Sequence, residues 1–320
     1  MDVVSIPAPE KHPNADTLST IRLLGGYTIV IRTEDWREGQ LAAYVEPDYE
    51  VPTDRPEFAF LAREGRSHHR VAVKKLRGIY SMGLLIPAPP GTAEGDNVIE
   101  ALGIRRYEPP PPKEFTGQIA GAQAAPPPAG FRPVYDVEAW RRYGHLFTPG
   151  EPVVVTEKLD GANARFTFQD GALHVGSRTE WKREESRLAW WRAVEVHPWI
   201  REWCEAHPGL TLYGEIFGNV GRLKYPVESI AFCAFDVLEG SSWWSWSALE
   251  TLSQPYRAPV LYVGPYDAAA IEALGDGPSA IGAPYREGVV VRPVVERTHP
   301  ELGRVQLKVV SNRYLEKATA

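Results

Sequence analysis

The sequence predicts an α+β fold in two modules: a small barrel of short strands, then a larger module dominated by antiparallel sheet. Three observations lead there. Short segments rich in β-branched and aromatic residues recur through residues 1–108, each bounded by turn residues. Two proline runs, 109–112 and 126–128, then interrupt the pattern, with Gly and Ala between them. Proline lacks an amide hydrogen and fixes φ, so such a stretch builds neither a helix nor a central strand and favours extended backbone. Beyond it, strand patterns mix with one long helical stretch. The expected boundaries are 1–108 for the first module, 109–130 for a connector and 131–320 for the second module.

Composition sets the outer limits. A chain of 320 residues, 43% hydrophobic and 24% charged, has room for two domains with real cores. Its formal net charge of −6 gives no bulk attraction to nucleic acid, so any such contact needs basic residues gathered on one face. No apolar run approaches the ~18 residues of a membrane span. The segment Met1-Asp2-Val3-Val4-Ser5 lacks the basic and apolar regions of a secretory signal. Cys204 and Cys233 stand in unrelated contexts without metal-ligand spacing, which points to reduced thiols. The expectation is a cytoplasmic monomer with no membrane partner.

In the first module, Tyr27–Arg32 and Leu41–Val45 read as strands, with Arg37-Glu38-Gly39-Gln40 turning between them. Residues 70–76 alternate apolar and polar side chains, and 82–87 closes the set. The simplest closure is an OB-like barrel, an architecture that often binds single strands. Arg63, Arg66, Arg70, Lys74, Lys75 and Arg77 outweigh one acid, Glu64, in the same stretch. This is either a phosphate-tracking surface or a solvated strand face. Strand alternation sends Arg70 and Lys74 to one side, and Lys75 and Arg77 to the other. Those four are the candidate nucleic-acid contacts.

In the second module, Val153-Val154-Val155-Thr156-Glu157-Lys158 is a strand running into a turn at Gly161. Residues 165–168 and 172–175 form a hairpin across Asp170-Gly171. From 184 to 207 the period is helical, with Leu188, Trp191, Val194, Trp199 and Trp203 on the apolar side. Strands return at 211–213, 230–235, 288–291 and 305–310.

The informative constellation starts at Lys158-Leu159-Asp160-Gly161. Alone, it reads as a surface turn. The chain then repeats the pattern of charge on or beside a strand at Ser177-Arg178, Tyr213-Gly214-Glu215, Phe235-Asp236, Arg286-Glu287-Gly288 and Leu307-Lys308. Charges flanked by apolar strand residues are costly unless they converge on a ligand, a metal or each other.

The order and chemistry of these segments over roughly 150–315 resemble the covalent nucleotidyltransferase superfamily of DNA ligases, RNA ligases and capping enzymes. The resemblance implies an antiparallel-sheet nucleotidyltransferase domain (ATP-grasp-like ligase), in which a lysine amine attacks the α-phosphate of ATP and pyrophosphate leaves. A lysine of ordinary pKa, ~10.4, is protonated at neutral pH and cannot attack, so Lys158 needs its pKa lowered by a metal ion and other cations. The resemblance assigns Lys158 as nucleophile, Lys308 to phosphate charge, and Glu215 and Glu287 to Mg²⁺ or Mn²⁺, which favour oxygen ligands. It also implies Arg178 and Asn163 on ribose, phosphate or the nick, Phe235 on the adenine face and Glu157 on the adenine amino group. Asp160 would orient Lys158 or contact the nick.

Module order narrows the family. DNA ligases and capping enzymes carry their OB module after the last lysine motif, but only residues 309–320 follow Lys308 here. A front OB module, together with Asn163 two residues after Gly161, resembles the Deinococcus-type RNA ligases. The turn segment His12-Pro13-Asn14-Ala15-Asp16-Thr17-Leu18 likewise resembles the opening of tRNA-binding OB modules. The resemblance implies ATP-dependent sealing of 3′-OH/5′-phosphate nicks in a duplex, with RNA on the 3′-OH side, by way of lysyl-AMP and an adenylylated 5′-phosphate. The alternatives are a DNA ligase, or an RNA-binding protein with a relic ligase module. One departure is Gln306, where RNA ligases often place the first lysine of Lys-x-Lys; Arg304 or Arg313 would then have to substitute.

Overall fold

The computed structural model describes residues 1–107, 124–130, 132–185, 187–218, 220–253, 256–300 and 302–318. Residues 109–123 of the expected connector lie outside them. The chain divides into two compact units, Met1–Pro110 with Leu315–Ala320, and Pro111–Tyr314.

The first unit is built from short antiparallel ladders. Leu41–Val45 is central in one sheet, between Val3–Ser5 and Leu84–Pro87. Tyr49–Pro52 lies between Arg105–Arg106 and His68–Arg70, and Glu10–Lys11, Leu18–Leu23 and Tyr27–Arg32 form a third ladder. Alternating residues of these strands, among them Val3, Ala43, Val45, Val51 and Ile86, share a core with Phe58, Val98 and Leu102. The expected strand over 70–76 is interrupted: His68–Arg70 and Val73–Leu76 are separate, and the second pairs with Ile79–Met82. The turn of that hairpin is tied down by the N-terminal segment. His12 is buried, its Nδ1 accepts from the Asn14 amide at 3.0 Å, and Asn14 Nδ2 donates to the Arg77 carbonyl at 3.0 Å.

The second unit contains two large sheets. The seven-stranded sheet runs Ala124–Ala125, Trp181–Lys182, Ala172–Ser177, Ala162–Gln169, Thr211–Gly218, Ile230–Glu239, Ser242–Trp243. The five-stranded sheet runs Glu138–Ala139, Leu307–Val310, Gly288–Pro293, Pro152–Lys158, Val260–Pro265. Among the described residues the strand ladders are antiparallel apart from Glu138–Ala139 against Leu307–Val310. Phe166, Leu212, Ile216 and Phe232 of the larger sheet pack with Leu188, Trp191, Val194 and Ile200. The helical stretch expected over 184–207 is two helices, Ala189–Val196 and Trp199–Ala206. The break is His197-Pro198: proline cannot donate the helix bond and pushes the residue before it out of the α region, and His197 sits at φ −123, ψ 77. Trp199 and Trp203 pack against the core.

Side chains tie the two sheets together. Asp236, fully buried on the Ile230–Glu239 strand, accepts from Arg292 of the Gly288–Pro293 strand at 2.8 Å. Both its oxygens accept from Arg304 at 2.7 Å, and the Tyr135 hydroxyl donates to it as well. Arg304 also donates twice to Glu296, at 2.7 and 2.8 Å, and lies 4.6 Å from the Trp243 ring centroid. Burial pushes the Asp236 carboxyl up, but Arg304 and Arg292 outweigh it and hold the group below its ordinary value. A depressed carboxyl contributes stability above its unfolded pKa, ~3.9, and that contribution is lost as pH falls through the folded value. Asp236→Ala strands two buried guanidinium groups and is expected to cost about 3–5 kcal/mol in denaturant unfolding of the second unit. Asp236→Asn should also flatten the loss of stability that acidification below about pH 4 causes in the unaltered protein.

Candidate active site

Strand register decides which side chains meet. On the Pro152–Lys158 strand, Val153, Val155 and Glu157 share a face with Val289, Val291, Leu307 and Val309 of the neighbouring strands, while Thr156 and Lys158 take the other. Thr156 is opposite Val290, which is opposite Lys308, so Lys158 and Lys308 lie on the same face of the five-stranded sheet. In the larger sheet, Asn163, Glu215 and Cys233 form one row across three strands.

Two glycines let these strands come close. Gly288 is directly opposite Lys158, and a Cβ there would stand 2.2 Å from the Val309 carbonyl oxygen. A Cβ on Gly161 would stand 1.9 Å from the Ile216 carbonyl oxygen, beside Glu215. Any larger residue at either position would force the backbone apart at the turn that delivers Lys158.

The assembled centre is a lysine among carboxylates. Lys158 Nζ donates to Glu287 Oε1 at 2.6 Å, with its side chain 27% exposed. Burial pulls the Lys158 pKa down, but Glu287 and Glu215 outweigh burial and leave it above the ordinary lysine value. The lowered lysine pKa expected from the reaction chemistry is therefore not a property of these residues alone. Glu215 is pushed up to about 8 by burial; Lys158 opposes this, and Glu287 and Asp160 add to it. Glu287 is raised by burial against the pull of Lys158, with Lys308 acting in the same lowering direction. Lys158, Glu215 and Glu287 thus converge, with Asp160 and Lys308 in electrostatic reach.

Asp160 has a structural set of partners. One oxygen accepts the backbone amides of Arg222 and Leu223, the latter at 2.6 Å, and the other accepts the Tyr314 hydroxyl at 2.8 Å. Its own amide donates to the Tyr225 hydroxyl at 2.9 Å. The aspartate fastens the turn after Lys158 to residues 222–225 and to Tyr314. Glu157 is 2% exposed; its Oε2 accepts from the Ala280 amide at 2.6 Å, and its Oε1 is buried without a hydrogen-bond partner. The loop bearing Ala280 is closed by Arg286, whose guanidinium donates to the carbonyls of Leu274 and Pro278. Phe235 is half-buried at a β-bulge, the residue skipped where Tyr213 pairs with Asp236 and Gly214 with Ala234. Bulges redirect side chains beside functional sites.

Other candidates are engaged elsewhere. Arg178 is 50% exposed and paired with Asp136. Arg304 cannot replace the lysine missing at Gln306, because Asp236 and Glu296 occupy its guanidinium. Arg313 lies 4.8 Å from the Tyr285 ring centroid. Gln306 is buried, and its Oε1 has no partner. In the first unit, Arg70 is bonded to Asp48 and lies 4.0 Å from the Tyr107 ring centroid, so it is a structural cation. Lys75 lies 5.0 Å from the Tyr80 ring centroid, Arg77 occupies the hairpin turn with φ 48, and Lys74 is exposed. Sequence patterns gave no hint of Tyr225, Tyr314 or the Arg292–Asp236–Arg304 contacts, since each partner lies far along the chain.

A family model of RNA ligases matches residues 151–310, half of the chain, and the chain belongs to the RNA ligase family. A model of an OB-fold domain matches residues 2–88. Among solved structures, a lysine-to-alanine variant of Naegleria gruberi RNA ligase with ATP and Mn aligns over 99% of this chain and 98% of its own, with TM-score 0.81 and 25% identity. RNA ligase from the same organism with PPi gives TM-score 0.81 and 25% identity over 99% of this chain and 97% of that one. An arginine-to-alanine variant with ATP and Mn gives TM-score 0.81 and 25% identity over 99% and 98%. No curated protein matches the sequence. The α+β architecture, with an OB-fold domain in front of an antiparallel-sheet ligase domain, is the one the sequence led us to expect. None of the described helices is long and apolar enough to cross a membrane.

Asp160→Ala removes the acceptor of two backbone amides, each costing about 1–3 kcal/mol when left buried and unbonded. Denaturant unfolding should show that loss in full. Tyr314→Phe, which removes one donor, should cost about 0.5–1.5 kcal/mol.

Proposed function

We propose that this chain is an ATP-dependent RNA ligase that seals 3′-OH/5′-phosphate nicks with RNA on the 3′-OH side, using Lys158 as the nucleophile. The observation that carries the reading is Lys158 Nζ held 2.6 Å from Glu287, with Glu215 facing it from the second sheet and Lys308 on its own face. The Naegleria gruberi relatives with ATP and Mn, and with PPi, support the choice of nucleotide, metal and leaving group. In domain terms, residues 1–108 act as a nucleic-acid-binding module and 131–320 as the adenylyltransferase, working as a cytoplasmic monomer.

Glu215 and Glu287 fit a divalent ion of the Mg²⁺ or Mn²⁺ kind. Both are oxygen donors, and both are raised by burial, so a dication would relieve an unfavourable charge state. Bound there, the ion would neutralise phosphate charge and draw the carboxylates away from the lysine. The residues supply the rest. With Glu287 withdrawn, Lys158 gives up its proton to solvent, and the neutral amine attacks the α-phosphorus. A P–N bond forms, the bond to the bridging oxygen breaks, and pyrophosphate departs. AMP then passes to the 5′-phosphate of the nick, and the 3′-OH displaces it. Lys308 offsets charge on the phosphates. The unpaired Oε1 of Glu157 accepts the adenine amino group, and Phe235 lies on the adenine face. Asn163 and Arg178 contact ribose, phosphate or the nick, and Asp160 orients Lys158 through the turn it fastens.

Incubation with α-labelled ATP and Mn²⁺ should label the protein, and Lys158→Ala should remove the label entirely; a stable label on that variant rejects the assignment. Nicked duplexes differing only in the sugar at the 3′-OH end should be sealed with RNA there, and equal sealing of all-DNA nicks would reject the RNA preference. The raised Glu215 adds a pH prediction. Metal must compete with a proton below about pH 8, so the Mn²⁺ concentration for half-maximal labelling should fall by up to about tenfold per pH unit towards that value, then level off. A metal requirement constant over this interval would remove Glu215 from the ligand set.

A further inference from the structure

The first unit has an open groove, with a volume of about 220 Å³, that the ligation chemistry does not use. Val30, Phe60, Leu61, His69, Lys74 and Leu76 line it. Phe60 belongs to the short 3-10 helix Pro56–Leu61, whose other phenylalanine, Phe58, is fully buried. Phe60 is 67% exposed, the most exposed aromatic side chain in the described hydrophobic surface. Exposing a ring of this size forgoes about 2 kcal/mol of burial, so the ring stands available to a ligand.

The rim is cationic. Burial lowers the His69 pKa, and Lys74, Arg63 and Arg66 lower it further, which places three positive charges around the imidazole. Of the nearby acids, Glu57 and Asp48 are paired with Arg55 and Arg70, which leaves Glu64 against Arg63, Arg66 and Lys74. An apolar floor, an exposed aromatic ring and surrounding cations match a nucleic-acid strand with unpaired bases: a base stacks on the ring and the phosphates meet the cations. An acidic peptide satisfies the cations but has no flat group for Phe60.

We propose that this groove takes a single-stranded stretch of RNA, with one base stacked on Phe60 and the adjoining phosphates on Lys74, Arg63 and Arg66. The choice of RNA as ligand rests on the RNA ligase reading; the groove lies on the other unit from Lys158.

Fluorescence anisotropy of a labelled single-stranded RNA with the full chain, without ATP or metal, tests the assignment. Phe60→Ala should weaken binding about tenfold, within the range of one lost base stack, and Phe60→Trp should restore it. Lys74→Ala should weaken binding and reduce the slope of log affinity against log salt by about 0.7. Thermal melting of each variant confirms folding. Unchanged affinity in Phe60→Ala overturns the proposal, as does absence of RNA binding by the unaltered protein, or a glutamate-rich peptide that displaces the RNA at equal concentration. ATP labelling of the unaltered chain is scored separately: its failure rejects the adenylylation reading and leaves the binding result standing.

Discussion

The second unit depends on one buried ionic knot. Lys158, Glu287 and Lys308 belong to one sheet or its edge, and Glu215 and Asn163 to another, and among the described residues no ladder joins the two at these positions. Asp236 carries the larger sheet to Arg292 and Arg304 of the smaller sheet and its adjoining hairpin. A buried carboxylate with two guanidinium partners and a tyrosine hydroxyl has every lone pair directed, so the knot fixes orientation as well as distance. Hydrophobic packing alone would tolerate a slip between sheets, and a slip of one residue would carry Lys158 away from Glu215. Geometry at the centre therefore rests on contacts made between the sheets, away from Lys158.

The centre itself is built in the opposite spirit. Asp236 is held below its ordinary pKa by two guanidinium groups that outweigh burial, whereas burial raises Glu215 and Glu287 and Lys158 does not offset it for either. Asp160 has three donors on its oxygens and is spent on architecture. The contrast separates carboxylates that are satisfied from those that still lack positive charge. A resting ion pair between Lys158 and Glu287 keeps the lysine protonated until the carboxylate finds another partner. In the proposed reading, a dication held by Glu215 and Glu287 would compete with Lys158 for these carboxylates and would favour the neutral amine.

Much of this was legible in the sequence because period and turn chemistry act locally. Tyr27–Arg32 and Leu41–Val45 were readable to the residue, since β-branched runs bounded by Gly and Glu-Gly turns leave little choice. The Asp170-Gly171 hairpin was equally plain, with both residues at positive φ. The helical stretch was misjudged where a single proline outweighs an amphipathic pattern. Side-chain commitments were not legible. Arg70 and Arg304 look like phosphate ligands in a linear sequence, and only folding reveals Asp48, Glu296 and Asp236 as their partners. Asp160 read as a group that orients Lys158 or contacts the nick, and the sequence did not show that its oxygens hold residues more than sixty positions away. Motif order points to the centre; it does not say which charges the fold has already consumed.

The two cysteines lead in a different direction. Both Cys204 and Cys233 are buried, and burial pushes each thiol up to about 12, so neither forms appreciable thiolate near neutrality. Cys233 stands in the same cross-strand row as Glu215, yet its sulfur is chemically silent. The protein therefore comes with a blank background for site-directed thiol chemistry. One cysteine introduced on an exposed position would be the sole fast-reacting sulfur among the described residues, and a fluorophore or spin label placed there would report on that site without first rebuilding the core.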